Sequence, residues 1–538
     1  MVTEPQAVVH VHEVMIIGAG PSGLALAARL SEHMPAANFT DDEHQRFHWI
    51  NRHRNQPSVK HSKTGAETRR ESPAVSSPHA KIDLLVLDAT DKHWMARWDG
   101  LFKMFDISHL RSPMFFHVDP AERDGLLSYA HMNDREKELN ELRGCVGKEL
   151  SKHQRKKRER SGNQPRTEPT IDERDRNDYF VPSTPLFSSH CNCIIDRYNI
   201  RDDIVSHENV EDIRYGILKE YSDTEKVFTV KTDSKIHHAK IVVLAVGGNP
   251  AQIPCKLSAE EMEGATHAMH LKEMPSPHIR RKLADKIRTN ILVVGGGLTS
   301  AQLADLAIRR GVSKVWLIMR SNLKIKHFDI GLEWVGKFRN HQHSRFWLEE
   351  KEEERWKMYD TARKGGSITP AYNKVLERHV VSGRLSMLQK TTIKSKQWDP
   401  TSKTWSVSLC GDEQELPPID HIYFATGVHN DFECLPFLQS MISDFPIKAC
   451  GGFPCITQNM AWREDVPLFV AGRFAALQLG PGAPNLIGAR IGAERIAWSI
   501  QDKLGSEEGG NSTGSHRDKF NYATGRCNSF DALADLDE

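Results

Sequence analysis

Long hydrophobic runs, regularly spaced cysteines and an excess of one charge sign are all scarce in this 538-residue sequence. No apolar stretch reaches the roughly 18 residues of a membrane helix, and the opening MVTEPQAVVHVHEV lacks the basic and apolar regions of a secretory leader. The expectation is a chain without membrane attachment. Its nine cysteines are odd in number and scattered, which suits reduced thiols in a cytoplasmic setting better than a disulfide framework. Lys and Arg total 72 against 71 for Asp and Glu, a formal charge of +1 that gives no overall field for holding a polyanion, so no nucleic-acid partner is expected. No H-E-x-x-H, no Ser-His-Asp nucleophile motif and no zinc spacing is present; Cys191 and Cys193 stand too close together and lack partners, so no metal is expected. What remains is 39% hydrophobic residues in a chain too long for one ordinary domain, enough for a sizeable core.

The order of segments is more informative than composition. Residues 11–31, VHEVMIIGAGPSGLALAARLS, pass from an apolar run through glycines into an alanine- and leucine-rich stretch, the order strand, turn, helix. Two polar inserts follow, at about 32–80 and 131–178, the second dense in both charge signs. A second strand, turn and helix lies at 290–309, NILVVGGGLTSAQLADLAIR. This predicts an α/β fold of two Rossmann-like dinucleotide-binding domains, the second inserted into the first: residues 1–285 and 413–502 as one domain, 286–412 as the other, and 503–538 as a flexible tail.

Gly18, Gly20 and Gly23 in GAGPSG have the roles a dinucleotide turn requires: a tight turn, room for backbone to approach a pyrophosphate, and close helix–strand packing. Asp88, at the end of the next strand, is the candidate acceptor for ribose hydroxyls, delayed beyond the usual spacing of about 20 residues by the first insert. In the second motif Gly295 and Gly297 keep their places and Ser300 stands where the third glycine would be. Arg320, ending the following strand with Ser321, Lys324 and Lys326 nearby, suits a 2′-phosphate, so NADPH is expected over NADH. Two nucleotide units in one chain imply two cofactors, FAD and NADPH. The runs ending in Ala245-Val246-Gly247 and Ala425-Thr426-Gly427 flank the second unit as crossings between domains.

On these residues, together with LDATDKHWMARWDGLFKMFDISHLRSP (87–113), YFVPSTPLF (179–187) and AGRFAALQLGPGAPNLIGAR (471–490), the chain resembles two-dinucleotide-binding-domain flavoproteins. Within them it resembles the flavin-dependent N-hydroxylating monooxygenases, of the ornithine and lysine type, and the oxidative-stress-induced growth inhibitor proteins. The resemblance implies that Trp94, Asp106, Ser108, His109 and Arg111 lie beside the flavin ring as candidate catalytic residues, with Ser183 and Thr184 near them. It also implies that Gly427, Gly472, Gly480 and Asn485 help hold the cofactor. Three departures stand out: Gly472-Arg473 replaces the Gly-Asp often found near the flavin side chain, the basic residue that holds an amino-acid substrate has only His109 and Arg111 as its nearest candidates, and F-x-G-x-x-x-H is missing.

The resemblance implies an NADPH-reduced flavin that takes up O2 and transfers oxygen to a small molecule, an amine nitrogen being one candidate atom. Two alternatives stay open: an FAD-dependent dehydrogenase of a small polar alcohol, sugar or amine, and a regulatory protein with a nucleotide-binding shell. The C-x4-C spacing of Cys450 and Cys455 is far from the early helix where disulfide reductases carry their pair, so free thiols are expected.

Overall fold

The computed structural model describes residues 9–507 except 33–34, 41, 47–57, 61–62, 66, 70–81, 143, 148–150, 154–155, 157–170, 248–250, 252, 337, 412–414 and 429. β1 (Val11–Ile17) is apolar at its C-terminal half and fully buried there, the signature of a central parallel strand. Pro21, with no N–H to leave unpaired, opens helix α1 (Pro21–Ser31), whose Gly23–Arg29 face is buried. Then come β2 (Leu84–Asp88), helix α2 (Ala96–Met104), helix α3 (Thr184–Arg197), β3 (Val205–His207), β4 (Val210–Ile217), β5 (Lys226–Thr232) and β6 (Ile236–Leu244). These strands form one sheet in the order β4-β5-β6-β1-β2-β3. β1 runs parallel to both β2 and β6, so it is the point at which strand order reverses, where α/β sheets bind ligands beyond their strand ends.

The second sheet is wholly parallel: β7 (Ala265–His267), β8 (Asn290–Val294), β9 (Lys314–Met319), β10 (Leu385–Gln389) and, after the hairpin β11 (Thr392–Asp399) and β12 (Thr404–Cys410), β13 (His421–Phe424). Its order is β7-β13-β8-β9-β10, and helix α4 (Leu298–Arg309) follows β8 as α1 follows β1. Its strands therefore run from Ala265 to Phe424, wider than the 286–412 span expected for the second unit. A doubly wound sheet needs neighbours on both sides of its first strand, and here β7 and β13 supply the far side. Helix α5 (Glu352–Arg363) precedes β10, and the chain returns to the first sheet through β14 (Ala461–Arg463) and β15 (Val466–Val470). β15 lies parallel to β6 at Val242–Leu244, taking over where β5 has finished pairing at Ala239.

The 22-residue helix α6 (Leu486–Glu507) closes the fold, carrying helical structure past the expected domain end at 502. It is tied to α1 by an ion pair, Arg29 Nε to Glu494 Oε2 at 2.6 Å, with the Arg29 side chain 2% exposed. Both inserts are shorter than composition suggested. Ala36, Ala37 and Phe39 are buried, Leu139–Glu141 pairs with Phe180–Pro182, and Val146–Gly147 pairs with Ile171–Asp172. Most of the basic run 152–160 lies outside the described residues.

Candidate functional site

A single cleft of ≈ 1520 Å³ runs between the two sheets and is walled by both glycine turns. The turns are built alike. Gly18 has φ +111°, and a Cβ there would meet the Ala245 carbonyl oxygen at 2.7 Å; Gly295 has φ +149°, and its Cβ would meet the Ala425 oxygen at 2.4 Å. Each of the two small-residue strand ends singled out in the sequence thus closes on the first glycine of one motif. Gly23 is a packing position, since a Cβ there would lie 2.0 Å from the Gly18 oxygen. Gly20 faces open space, with nothing within 4 Å of a Cβ. Helices α1 and α4 have no side-chain cap and no acidic residue in their first turns, which leaves their leading N–H groups and positive ends for an anion. This arrangement fits a dinucleotide pyrophosphate at each turn.

Asp88 lies on the cleft, and its Oδ2 accepts the Ala19 N–H at 2.8 Å while Oδ1 accepts from Thr90 at 2.7 Å. It fixes the glycine turn and keeps lone pairs for ribose hydroxyls. Ser300 is buried, and its hydroxyl donates to the Gly297 carbonyl at 2.7 Å, so it occupies the third-glycine place without opening the turn. Arg320, exposed at the end of β9, borders the cleft with Ser321 and Lys324, and Lys394 and Lys396 face it from β11. Gly427, Gly472 and Asn485 line the cleft, Gly472 beside Ser22 of the first turn, and the N-terminus of α6 opens into it at residues 483–486. Gly480 does not line it; at φ +74° it turns the chain beside Phe346.

Of the proposed catalytic residues, the structure brings Arg111 alone to the cleft. Trp94 is 5% exposed, and its indole donates to the Ile200 carbonyl at 2.7 Å, inside the core. Asp106 is exposed, has φ +52° and pairs with Arg309 at 2.5 Å. Ser108 and His109 bond to each other at 3.1 Å beside the start of α3, away from the cleft lining. Burial lowers the His109 pKa, with the Glu138 carboxylate opposing. Ser183 caps α3 by accepting the Leu186 N–H at 3.0 Å, and Thr184 donates to the Ile107 carbonyl at 2.6 Å, so both are helix-start residues.

Arg111 itself is engaged through all three of its guanidinium nitrogens. Its guanidinium donates to the Lys326, His327 and Ser367 carbonyls and to the Ser367 hydroxyl, at 2.9 to 3.3 Å. Burial lowers its pKa to about 10, against the attraction of Asp329, so it is cationic at neutral pH. Arg111 therefore ties the cleft wall at residues 110–112 to loops of the second sheet. Asn485 donates to Asp329 at 3.1 Å, and Arg363 reaches the other carboxylate oxygen at 2.6 Å. Burial raises the Asp329 pKa, and the Arg363 and Arg111 cations outweigh it to bring the carboxyl below its usual range. Arg473, in the position often held by Asp, is occupied with Asn430 at 2.6 Å.

Three features of the cleft had no reading in the sequence. Trp98 and Phe102, one helical turn apart on α2, stack at 3.7 Å between ring centroids and face the cleft where Trp94 does not. Lys364, Gly365 and Gly366 cover the second glycine turn: a Cβ at Gly366 would stand 2.9 Å from the Gly297 Cα. Glu208 borders the cleft near Asp88, whose carbonyl accepts its N–H at 3.0 Å. Cys450 and Cys455 are free, do not line the cleft, and have thiols raised by burial, Cys455 to about 11.

Residues 198–430 match the family model for L-lysine 6-monooxygenase/L-ornithine 5-monooxygenase. No curated protein sequence matches the chain. Among solved structures, the Kutzneria ornithine N-hydroxylase KtzI is similar at 14% identity and a TM-score of 0.60, over 92% of this chain and 100% of that one. The FAD-bound cadaverine monooxygenase DfoA of Erwinia amylovora gives 14% and 0.58 over 92% and 95%, and the ornithine hydroxylase PvdA of Pseudomonas aeruginosa 15% and 0.58 over 92% and 100%. These likenesses show the α/β fold. By that fold and by the family match, the chain resembles the flavin-dependent N-hydroxylating monooxygenases.

Proposed function

We propose that this chain is an FAD- and NADPH-dependent monooxygenase that oxygenates a nitrogen of a small amine with O2. The observation that carries the reading is the single cleft joining two glycine turns of the same construction, since hydride can pass between two cofactors only where their sites meet. The fold and family match supply the reaction class, and the relatives' substrates supply the amine. FAD, when bound at the Gly18–Gly23 turn and reduced by NADPH, supplies the oxygen-transfer chemistry.

The chain's own residues hold and orient. The Gly20 side of the first turn and the leading N–H groups of α1 bind the pyrophosphate, and Asp88 receives the ribose. Gly297, covered by Gly366, binds the second pyrophosphate, and Arg320 selects the 2′-phosphate. The Trp98–Phe102 stack presents an apolar wall that excludes water. The N-terminus of α6 opens into the cleft at residues 483–486 and would offer positive potential to the ring of a bound flavin. Arg111 and the Asp329–Asn485 pair set the spacing of the two halves and act as positioning residues. The unit built on the second sheet, whose strands run from Ala265 to Phe424, is assigned to NADPH, and the unit built on the first sheet is assigned to FAD.

Eight free cysteines among the described residues suit a reducing, cytoplasmic setting, and no described helix is long and apolar enough to cross a membrane. Small amines and O2 are the partners in this reading; nucleic acid is not. The test incubates the purified holoprotein with NADPH, O2 and ornithine, lysine or cadaverine, and measures hydroxylamine product and peroxide. Amine-dependent hydroxylamine is the expected result. Oxidation of the amine without added oxygen would replace the reading with a dehydrogenase, and failure to take up FAD would overturn it in favour of a regulatory shell.

A further inference from the structure

Away from the cleft, at the N-terminal ends of β1 and β2, three side chains converge on one point. His10 and His12 alternate along an extended segment and so share one side of it, and Asp83 immediately precedes β2. His10 Nε2 lies 3.2 Å from His12 Nδ1 and 3.0 Å from Asp83 Oδ2; His12 Nδ1 lies 3.1 Å from Asp83 Oδ1. Hydrogen bonding cannot satisfy this triangle. If each nitrogen donates to the carboxylate, two N–H groups face each other across the remaining edge. If His10 donates to His12, then Nδ1 of His12 has no proton left for its carboxylate neighbour.

A divalent cation satisfies all three edges at once. Metal–ligand distances of about 2.0 to 2.2 Å place neighbouring ligand atoms about 3.0 Å apart in octahedral and about 3.4 Å apart in tetrahedral geometry. The observed separations lie at or inside that range. We propose that His10, His12 and Asp83 form a binding site for a zinc-class divalent transition metal, completed by water on the exposed side of His10. Asp83 is held for this role from its backbone, whose N–H donates to Glu13 Oε2 at 2.7 Å and whose carbonyl accepts from Val14 at 3.1 Å. Such outer contacts fix the direction of a ligand. From His12 to Gly18 the strand covers about 20 Å, so the metal takes no part at the cofactor turns. It is a clasp that fastens the leading end of β1 to β2. None of this depends on the oxygenase reading.

The experiment titrates the chelator-stripped full chain with ZnCl2 by calorimetry, beside the His10→Ala, His12→Ala and Asp83→Asn variants, and follows Tm with and without zinc. The wild type is expected to show one binding event of unit stoichiometry that raises Tm, weakened at least about 100-fold in each variant, since a ligand matters no less than the groups that orient it, whose loss costs about 10- to 100-fold. The His10 side chain is 67% exposed, so its removal leaves the fold intact and keeps the comparison valid if either of the other variants unfolds. A wild type that binds no zinc, or isotherms unchanged in His10→Ala, would overturn the proposal.

Discussion

Gly20 and Gly23 are three residues apart in one motif, yet the structure assigns them opposite sensitivities. Gly20→Ala places a methyl in open space on the cleft side, at φ −79° and ψ −170°, a conformation alanine adopts freely. The apoprotein should keep its stability within about 1 kcal/mol, because the allowed backbone offsets the weaker helix cap. The methyl does stand where backbone must approach a pyrophosphate. Losing one charge-assisted hydrogen bond there costs about 1.5–3 kcal/mol, or about 10- to 100-fold in FAD affinity. Gly23→Ala instead drives a Cβ to 2.0 Å from the Gly18 carbonyl oxygen, and overpacking of that kind costs about 1–3 kcal/mol or more. The assay pairs thermal denaturation of apoprotein with calorimetric FAD binding. Gly20→Ala should change binding alone, and Gly23→Ala should change both. Wild-type FAD affinity in Gly20→Ala, or a large Tm loss in that apoprotein, would refute the reasoning.

Arg320→Ala should raise KM for NADPH about 10- to 100-fold and leave KM for NADH nearly unchanged, since one charge-assisted phosphate contact is removed; steady-state kinetics with both nucleotides measures this. Trp94→Phe leaves the buried Ile200 carbonyl unpaired and should cost about 1–3 kcal/mol in denaturant unfolding while altering kcat little, the reverse of a catalytic residue's behaviour. Burial, with His278 adding to it, lowers the His421 pKa to about 3. Its unfolded form takes up a proton below about pH 6.5, so stability is full above that pH and falls towards pH 3, by up to roughly 5 kcal/mol. Tm measured across that range should decline less steeply in His421→Gln.

Both nucleotide turns were legible in the sequence because their signal is local: an apolar strand, glycines and a helix within about 20 residues. The pairing of Ala245 with Gly18 and of Ala425 with Gly295 was legible in part, through small residues at strand ends. Which side chains around α2 reach the cleft was not legible, because the direction in which a side chain leaves the chain there depends on packing. Trp94 precedes the helix and turns into the core, whereas Trp98 and Phe102 face the cleft. Gly366 had no sequence signal tying it to Gly297, since α4, β9 and α5 all lie between the two. The breadth of the second sheet was hidden for a similar reason: β7 has three residues, too few for a pattern to separate it from its surroundings.

The most direct test of the central claim is anaerobic mixing of the FAD-loaded protein with NADPH, followed by absorbance near 450 nm, the band of oxidised flavin. The proposed oxygenase reading predicts that NADPH bleaches the band, that admitted O2 restores it, and that an amine substrate leaves hydroxylamine behind. A flavin that binds at the first turn and stays oxidised under excess NADPH would contradict the account.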